Sequence, residues 1–422
     1  MNEKENKIIN AVSDDLGRPM HEIIMSEISC VKYEIQDLLK HLKSWIKPIK
    51  VPKSRHFRKD KCRAEFQPLG TVLIIGSWSS PFQSLMIPLA GAIAAGNCVI
   101  IKPNELSTGT GELLCEQISK YLDRSICQVL SCTLDETKEF IDENKMDFIF
   151  FSGVSSDGAF IMSEAAKSIT PVCLDLSGKC SADIDLSAKR IMWGKIYNCG
   201  QSSLAPDYAL CHLDVQPQFI RACRGALLSF YNELPNIDTE DYGRIVSQAH
   251  TQRLKELMLE TRGSLDFGGI TSVQNRFVQP AVITNVLESD VLMQHEIYGP
   301  VLPVISVKSS SDALEYVNSL PKPQAVYIFA KEKAIFQFWK KNTSSGGIIL
   351  NDVVMFKGPN GMNFGGVDSS GMGQYRGRAS FQLFSHQRGV IERSTKEKLD
   401  KKIRYPPYYK STTAALRNVF KA

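Results

Sequence analysis

The sequence lacks the residue spacings of a metal centre. Its 11 cysteines include no C-x-x-C pair, and its seven histidines include no H-E-x-x-H arrangement, so we expect no metal site. Several cysteines, such as Cys98, lie inside apolar runs, which is typical of buried thiols in a reducing compartment. The amino terminus is polar and charged, without the apolar stretch of a signal peptide. Together these features predict a cytoplasmic protein.

Long hydrophobic runs and strong charge are also absent. The most apolar region, 72–101, is interrupted by serines, Gln83 and Asn97, so no transmembrane segment is predicted. The net charge is +5, and no basic stripe with interleaved aromatic residues precedes the tail, which argues against nucleic acid as a partner. The tail from Glu392 to Lys421 has nine Lys and Arg against three Asp and Glu. We interpret it as a solvated face, with contact to an anionic membrane surface as the alternative.

The chain is long enough for more than one core. With 422 residues, 43% of them hydrophobic, we expect two or three subdomains. Apolar residues at helical spacing predict an amphipathic helix over 22–46, and the polar, proline-containing stretch 47–66 predicts a projecting connection or hairpin. Further on, short apolar runs alternate with helical patterns, which is typical of parallel α/β structure. We predict strands over 72–75, 99–101, 147–151, 301–307, 325–329 and 347–350, helices over 85–95 and 113–121, and a second α/β unit beginning near Ser177.

Short motifs follow one another along almost the whole chain. They are Gln67–Val72, Gly91–Asn97, Lys102–Glu105, Asp241–Ile245, Glu296–Pro300, Ser344–Gly347 and Phe364–Val367, with a further segment over Asn198–Asp207. In order and spacing they resemble the aldehyde dehydrogenase family, and the last segment is similar to that family's nucleophile segment. The runs Phe381–His386 and Arg404–Pro407 are similar to the class 3 branch, which contains the dimeric and fatty aldehyde dehydrogenases.

The resemblance implies an α/β protein with the aldehyde dehydrogenase fold. We expect a Rossmann-like cofactor domain over 1–46 and 68–176, with its amino-terminal helices partly missing relative to the family. A catalytic domain over 177–383 and a small bridging or oligomerisation element over 47–67 and 384–422 complete the expected fold. In relatives the bridging hairpin and the carboxy-terminal residues extend a sheet across subunits. A homodimer is therefore expected, with a heterodimer with an active relative as the alternative.

Several residues bear on binding of NAD or NADP, the cofactors of the family. Lys102 and Glu105 follow a predicted strand, at the carboxyl edge where α/β folds bind nucleotides. The matching family residues hydrogen-bond the adenosine ribose, and a surface ion pair is the alternative interpretation. Trp78 matches another cofactor-site position. Glu296 occupies the position that holds the nicotinamide ribose, and Tyr298 stands where phenylalanine is usual.

The segment over 151–158 matches the family's phosphate-binding turn. Gly153 and Gly158 would bring a helix N terminus to the pyrophosphate, where free N–H groups and the helix dipole favour anions. Asp157 replaces an apolar residue there. Its carboxylate would either repel the phosphates, by roughly 1–4 kcal/mol at about 4 Å, or cap the helix without facing the ligand. The resemblance thus implies that NAD or NADP binds, with weakened affinity.

Three positions that carry the family's chemistry are altered. Ser203 replaces the reactive cysteine, and an alcohol lacks the accessible ionised form that makes a thiol reactive. Asp175 replaces the glutamate base and is one methylene shorter; a misplacement of about 1 Å can lower a rate about a hundredfold. Ser79 replaces the asparagine that stabilises the oxyanion, and loss of one such donor lowers rates roughly 10²–10³-fold. Cys199 is the nearest thiol, but the residues before it suggest a strand or turn that faces elsewhere.

These substitutions predict an aldehyde dehydrogenase family protein that has lost most or all oxidation of aldehydes. It would bind a dinucleotide or form a dimer, with a small aldehyde or no small molecule as its further ligand. The second hypothesis is slow NAD- or NADP-dependent oxidation through Ser203. The third is a serine esterase, which would need a histidine base near Ser203, and the sequence has none at a recognisable spacing.

Overall fold

The computed structural model describes residues 2–53, 57, 59–176, 185–359, 361–395, 404–411, 413 and 417. The strands are β1 (Ile49–Lys50), β2 (Lys61–Pro68), β3 (Thr71–Ile75), β4 (Cys98–Lys102), β5 (Cys127–Val129), β6 (Phe148–Ser152), β7 (Val172–Asp175), β8 (Ala209–His212), β9 (Ser264–Phe267), β10 (Thr271–Ser272), β11 (Phe277–Val278), β12 (Ala281–Thr284), β13 (Val301–Val307), β14 (Ala325–Ile328), β15 (Gly347–Leu350), β16 (Gly371–Met372) and β17 (Ser385–Glu392).

The α-helices are α1 (Glu5–Leu16), α2 (Met20–Ile23), α3 (Ser29–Trp45), α4 (Gln83–Ala94), α5 (Thr108–Tyr121), α6 (Leu134–Glu143), α7 (Ser155–Lys167), α8 (Asp185–Ile196), α9 (Gln216–Tyr231), α10 (Gln248–Glu260), α11 (Val291–Gln294), α12 (Ser310–Ser319), α13 (Lys333–Asn342) and α14 (Arg378–Leu383).

A six-stranded sheet forms the centre of the first α/β unit. Its order is β16-β7-β6-β3-β4-β5; the last five strands are parallel, and β16 is antiparallel to β7. Along β3, Val72 and Ile74 pack into one hydrophobic cluster, and Leu73 and Ile75 pack into another. Successive strand residues point to opposite faces, so both faces of this sheet are covered. The strands and helices predicted between 72 and 151 are confirmed, with small shifts at their ends.

The second α/β unit contains a four-stranded sheet and a parallel pair. The sheet order is β8-β13-β12-β9, in which β9 alone is antiparallel to its neighbour, and β14 pairs with β15. The three strands predicted between 301 and 350 are confirmed. The predicted start of this unit, near Ser177, lies outside the described residues, since 177–184 are not described.

A separate three-stranded antiparallel sheet, in the order β1-β2-β17, joins the region before the first unit to the carboxy-terminal segment. Strands β2 and β17 pair along their whole length, from Lys61 opposite Glu392 to Pro68 opposite Ser385. The predicted hairpin is present in β1 and β2. The domain boundaries themselves stay a prediction.

One long helix runs from residue 20 to residue 45. It consists of α2, a π-helical turn over Ile24–Ile28, and α3. The helix predicted over 22–46 is confirmed, although apolar spacing gave no sign of the π turn. Its buried face packs against α4. Within the part of the chain that the structure describes, no helix is both long and apolar enough to cross a membrane.

Candidate active site

The three residues predicted for catalysis line one small cavity, here called the reaction cavity. Ser79 reaches it from the loop after β3, Asp175 from the end of β7, and Ser203 from the turn after α8. Its volume is about 30 Å³, which is room for one or two water molecules. Hydroxyl groups dominate its wall, from Ser77, Ser79, Ser80, Ser84, Ser152, Ser202, Ser203, Tyr298 and Tyr375. The wall of the reaction cavity is therefore mostly polar.

Ser203 lies in a turn whose backbone is held by the Asn198 side chain. Asn198 and Cys199 both have positive φ, 49° and 52°. The Asn198 amide donates to the carbonyl oxygens of Ser79 (3.0 Å) and Gln201 (2.8 Å). The Asn198 side chain therefore links the turn of Ser203 to the loop that carries Ser79. The Ser203 hydroxyl itself is half-buried and forms no hydrogen bond with another described residue.

Two side chains hold the Asp175 carboxylate. The Tyr375 hydroxyl donates to one oxygen (2.9 Å), and the Gln324 amide donates to the other (3.2 Å). The Tyr375 ring is buried, with edge contacts to Phe150 (5.0 Å) and Phe364 (5.8 Å) between ring centroids. Burial and the nearby Asp175 charge raise the pKa of Tyr375, so it stays a donor. Both carboxylate oxygens of Asp175 therefore already accept a hydrogen bond from a neighbouring side chain.

Ser79 belongs to a chain of hydroxyl groups. The Tyr298 hydroxyl donates to the Ser79 Oγ (2.9 Å), and the Ser77 Oγ lies 2.9 Å from the same atom. Burial raises the pKa of Tyr298, so its hydroxyl remains protonated. The one Ser79 proton therefore has Ser77 within reach, and a serine hydroxyl is shorter than an asparagine amide. This arrangement is a poor substitute for an oxyanion donor.

Tyr298 lies between the predicted catalytic and cofactor residues. Its hydroxyl lines the reaction cavity, and its ring is edge-on to Trp78 (5.3 Å between centroids), while its role in cofactor binding stays a prediction. Sequence analysis missed Tyr375 and Gln324, which are 200 and 149 residues from Asp175 along the chain. No local pattern connects such distant residues. The sequence feature that indicates an added hydroxyl near the site is the tyrosine at position 298, where the family usually has phenylalanine.

A second cavity lies beside the first and holds most of the predicted cofactor residues. Trp78, Lys102, Glu105 and Gly153 line it, and Ser77, Ser152 and Gly153 line both cavities. The Lys102 Nζ is 2.6 Å from the Glu105 carboxylate, and Lys102 is only 1% exposed. Burial alone would raise the pKa of Glu105, but the hydrogen bond from Lys102 holds it below its ordinary value. The ion pair is therefore a fixed part of the carboxyl end of β4 rather than a loose contact between two surface side chains.

Asp157 faces this second cavity. It is the third residue of α7, whose N-cap residue, Val154, makes no side-chain cap hydrogen bond, and it lines the cavity with Lys102 and Glu105. Burial raises the pKa of Asp157, and the Glu105 charge raises it further. The Asp157 side chain therefore lines this cavity, and its repulsion of bound phosphates stays a prediction. Gly158 lies deeper in α7, where an added Cβ would be 3.0 Å from Leu176.

Glu296 lines a third and larger cavity of about 330 Å³, together with Ser155, Lys322 and Ser369. Its backbone carbonyl accepts a hydrogen bond from Arg253 (3.3 Å). Ser155 is the first residue of α7, so this cavity and the second one meet the same helix N terminus. Of the predicted cofactor residues, Trp78, Lys102, Glu105 and Gly153 therefore line the second cavity, Glu296 lines the third, and Tyr298 lines the reaction cavity.

Neither the nearby thiol of Cys199 nor the imidazole of His250 lines the reaction cavity. Cys199 is 1% exposed, and burial raises the pKa of its thiol to about 12, so it supplies no thiolate near neutral pH. The residues before it belong to helix α8 and a 3-10 turn, so of the predicted strand or turn, the structure has the turn. His250 packs against Trp78 (5.4 Å between centroids), and its Nδ1 lies 2.9 Å from the Ser247 hydroxyl. No histidine lines the described part of the reaction cavity.

The architecture and the cavities agree with the resemblance, and comparison with known proteins decides it. The family model for the aldehyde dehydrogenase family matches residues 1–390. The chain belongs to the aldehyde dehydrogenase family. Aldehyde dehydrogenase family 3 member A2 from Pongo abelii is 39% identical over 412 residues, which cover 96% of this chain and 84% of that relative. The dimeric NADP-preferring aldehyde dehydrogenase from Canis lupus familiaris is 38% identical over 411 residues, with 96% and 90% covered.

Solved structures agree with this assignment. The substrate-bound state of Staphylococcus aureus AldH has a TM-score of 0.93 and 33% identity, and the match covers 100% of this chain and 92% of that one. The NADP complex of glyceraldehyde-3-phosphate dehydrogenase GapN from Methanocaldococcus jannaschii shares the fold, with a TM-score of 0.82 and 20% identity over 93% of this chain and 86% of that one. The predicted aldehyde dehydrogenase fold is confirmed. Within the described residues, no group of three His, Cys, Asp or Glu side chains is placed to hold a metal ion.

Proposed function

We propose that this aldehyde dehydrogenase family member binds NAD or NADP but has lost most or all capacity to oxidise aldehydes. The observation that carries the proposal is the reaction cavity, which is lined by Ser203, Asp175 and Ser79, the residues that we assign to the family's nucleophile, base and oxyanion donor. Relatives in the family oxidise aldehydes through a thiolate. Here the nucleophile is an unactivated alcohol, the base already accepts two hydrogen bonds, and the Ser79 hydroxyl that would donate has Ser77 within reach of its one proton.

The dinucleotide part of the proposal rests on residues that fit such a ligand. The buried Lys102 forms an ion pair with the more exposed Glu105 at the end of a parallel strand, the edge at which α/β sheets bind nucleotides. At Gly153 an added Cβ would lie 2.5 Å from the Phe151 ring, so the backbone there stays bare beside the N terminus of α7. When bound, the nicotinamide would supply a hydride acceptor. Asp157 opposes the phosphates, so we propose weaker binding than in active relatives.

Slow oxidation through Ser203 is the second candidate, because Asp175 lines the same cavity as Ser203. For that reaction Asp175 would have to take the Ser203 proton, which weakens its hydrogen bonds to Tyr375 and Gln324. A serine esterase ranks third, since the described wall of the cavity offers no imidazole to Ser203.

One purified sample separates these candidates. Titration calorimetry with NAD and with NADP measures binding, NADH absorbance with hexanal measures oxidation, and p-nitrophenyl acetate measures ester hydrolysis. The proposal expects binding of at least one dinucleotide, no oxidation above that of a Ser203→Ala control, and no Ser203-dependent ester hydrolysis. Absence of heat with both dinucleotides contradicts the cofactor part, and oxidation abolished by Ser203→Ala favours the second candidate.

We also propose a homodimer in the cytoplasm, with a heterodimer with an active relative as the alternative assembly. The exposed strand β17 is an edge of its sheet, and a named relative is dimeric. The described cysteines are all free thiols, as in a reducing compartment.

A further inference from the structure

The long helix over 20–45 carries carboxylates that bind the backbone around the reaction cavity. Glu22 accepts a hydrogen bond from the N–H of Asn198 (2.9 Å), the residue that begins the Ser203 turn. Glu27, on the π turn, accepts from the N–H of Gln83 (2.8 Å), which lines the cavity at the start of α4. Two walls of the cavity are therefore attached to one helix.

A third carboxylate of the same helix holds the third wall. Both oxygens of Glu34 accept from the N–H of Gly377 (2.8 and 3.0 Å), and one also accepts from the Ser380 hydroxyl (3.1 Å). Gly377 follows Tyr375 by two residues, and Tyr375 is the donor that holds Asp175. The position of this donor therefore depends on a carboxylate far from the cavity itself.

The π turn brings the three carboxylates to one side of the helix. Glu22 and Glu27 are five residues apart, and the turn between them includes an i to i+5 hydrogen bond, from the Ser29 N–H to the Ile24 carbonyl. Residues at this spacing align in a π-helix but diverge in an α-helix. Glu27 and Glu34 are seven residues apart, about two α-helical turns. Without the π turn, Glu22 would point away from the other two.

A buried arginine balances two of these charges. Arg18 is 1% exposed, and its guanidinium lies 2.8 Å from Glu27 and 3.4 Å from Glu22. It also donates to the hydroxyls of Ser26 (2.6 Å) and Tyr197 (2.5 Å). Although burial alone would lower the pKa of Arg18, the neighbouring Tyr197 and carboxylates raise it. The arginine therefore fixes the Glu22 and Glu27 carboxylates in place as acceptors through charge-assisted hydrogen bonds.

We propose that Glu22, Glu27 and Glu34 are positioning residues of the reaction cavity. They act through three backbone N–H groups and contact no ligand. Together they fix the distance between the Ser203 turn, the start of α4 and the segment that carries Tyr375. The amino-terminal helix thus forms the frame that keeps the cavity narrow, and this role does not depend on whether a dinucleotide binds.

The test uses the full chain with Ser203→Cys as a reporter, because the introduced thiol reports access to the cavity. Alkylation by iodoacetamide is followed at residue 203 by mass spectrometry of its peptide. Adding Glu22→Ala releases the Asn198 N–H, and we expect alkylation to become about tenfold faster, the effect of one lost hydrogen bond to a charged group on local opening. Glu22→Gln keeps an acceptor oxygen and should return the rate to within about twofold.

Asp15 provides a matched control. It is a buried carboxylate on α1 that accepts from the N–H groups of Gly109 (2.8 Å) and Thr110 (2.9 Å) at the start of α5, away from the cavity. Asp15→Ala should lower the melting temperature as Glu22→Ala does, yet leave alkylation at residue 203 unchanged. Equal acceleration by both variants, or none by Glu22→Ala, overturns the proposal.

Amide hydrogen exchange on the unmodified chain covers the case in which Glu22→Ala does not fold. The N–H groups of Gln83, Asn198 and Gly377 should exchange as slowly as those of the core strand β3. Exchange at the rate of exposed loops at these three amides would show that the carboxylates do not hold the walls.

Discussion

Restoring the thiol alone should not restore aldehyde oxidation. The perturbation is Ser203→Cys, compared with the triple variant that adds Asp175→Glu and Ser79→Asn. Loss of one oxyanion donor lowers rates roughly 10²–10³-fold, about 2.7–4 kcal/mol, and a base misplaced by about 1 Å costs on the order of a hundredfold. If these penalties were independent, the single variant would stay roughly 10⁴–10⁵-fold below an ordinary family member.

The measured rates should depart from this estimate, which treats the two penalties as independent. Members of one catalytic unit act together, so the penalties are not additive, and the triple variant should gain more than its single changes suggest. The cavity of about 30 Å³ also has to admit a longer carboxylate and an amide. Because the Tyr298 hydroxyl lies within hydrogen-bond distance of position 79, it takes up space that the larger asparagine needs, and adding Tyr298→Phe to the triple variant should raise its rate again.

The assay follows NADH absorbance with NAD and hexanal, after calorimetry has shown that each variant binds NAD. The matched control is Ser203→Ala with the same two supporting substitutions, which has no nucleophile and should be silent. Turnover of Ser203→Cys alone at the rate of an ordinary family member would refute the reasoning, because the rest of the site would then be intact. A silent triple variant that still binds NAD would refute the claim that these three positions limit the reaction.

Three further predictions concern cofactor binding, assembly and stability. Asp157→Val should tighten NAD binding about two- to tenfold by calorimetry. The affinity of the wild-type protein should also rise as the pH falls towards the raised pKa of Asp157, because protonation removes the opposing charge. An Asp157→Asn variant with the same affinity and the same pH profile as the wild-type protein would contradict this. Analytical ultracentrifugation at micromolar concentration should show a dimer, and a monomer would remove that proposal. Phe150→Ala should lower the free energy of unfolding by about 3–5 kcal/mol in guanidinium titrations, since Phe150 is fully buried beside Tyr375; a loss below about 1 kcal/mol would contradict this account of the core.

The sequence was sufficient to predict the order of strands and helices because each element has its own periodicity. The strands over 72–75 and 301–307 and the helix over 85–95 lie between clear apolar and polar boundaries. The grouping of Ser79, Asp175 and Ser203 also followed from the family motifs, and the structure places all three at one cavity. Their roles stay predictions until they are tested.

The hydrogen-bond partners of these residues could not be predicted in the same way. Gln324 and Tyr375 reach Asp175 across more than a hundred residues of chain, and such contacts depend on how whole sheets pack. The π turn over Ile24–Ile28 is equally hidden, because one extra residue in a helical turn hardly alters the apolar pattern. Asp157 shows a third limit of prediction from sequence. The same residues allow its carboxylate to cap the helix or to face a ligand, and only the direction of the side chain in a structure distinguishes the two.

The most direct test of the central claim is the amount of NADH formed per chain when the wild-type protein, saturated with NAD as judged by calorimetry, is mixed with excess hexanal. The account predicts a rate below about 10⁻³ s⁻¹, at least about 10⁴-fold under the median enzyme turnover of about 10 s⁻¹, and no difference from Ser203→Ala. Steady turnover near the ordinary enzyme rate, lost in Ser203→Ala, would contradict it and identify Ser203 as a working nucleophile.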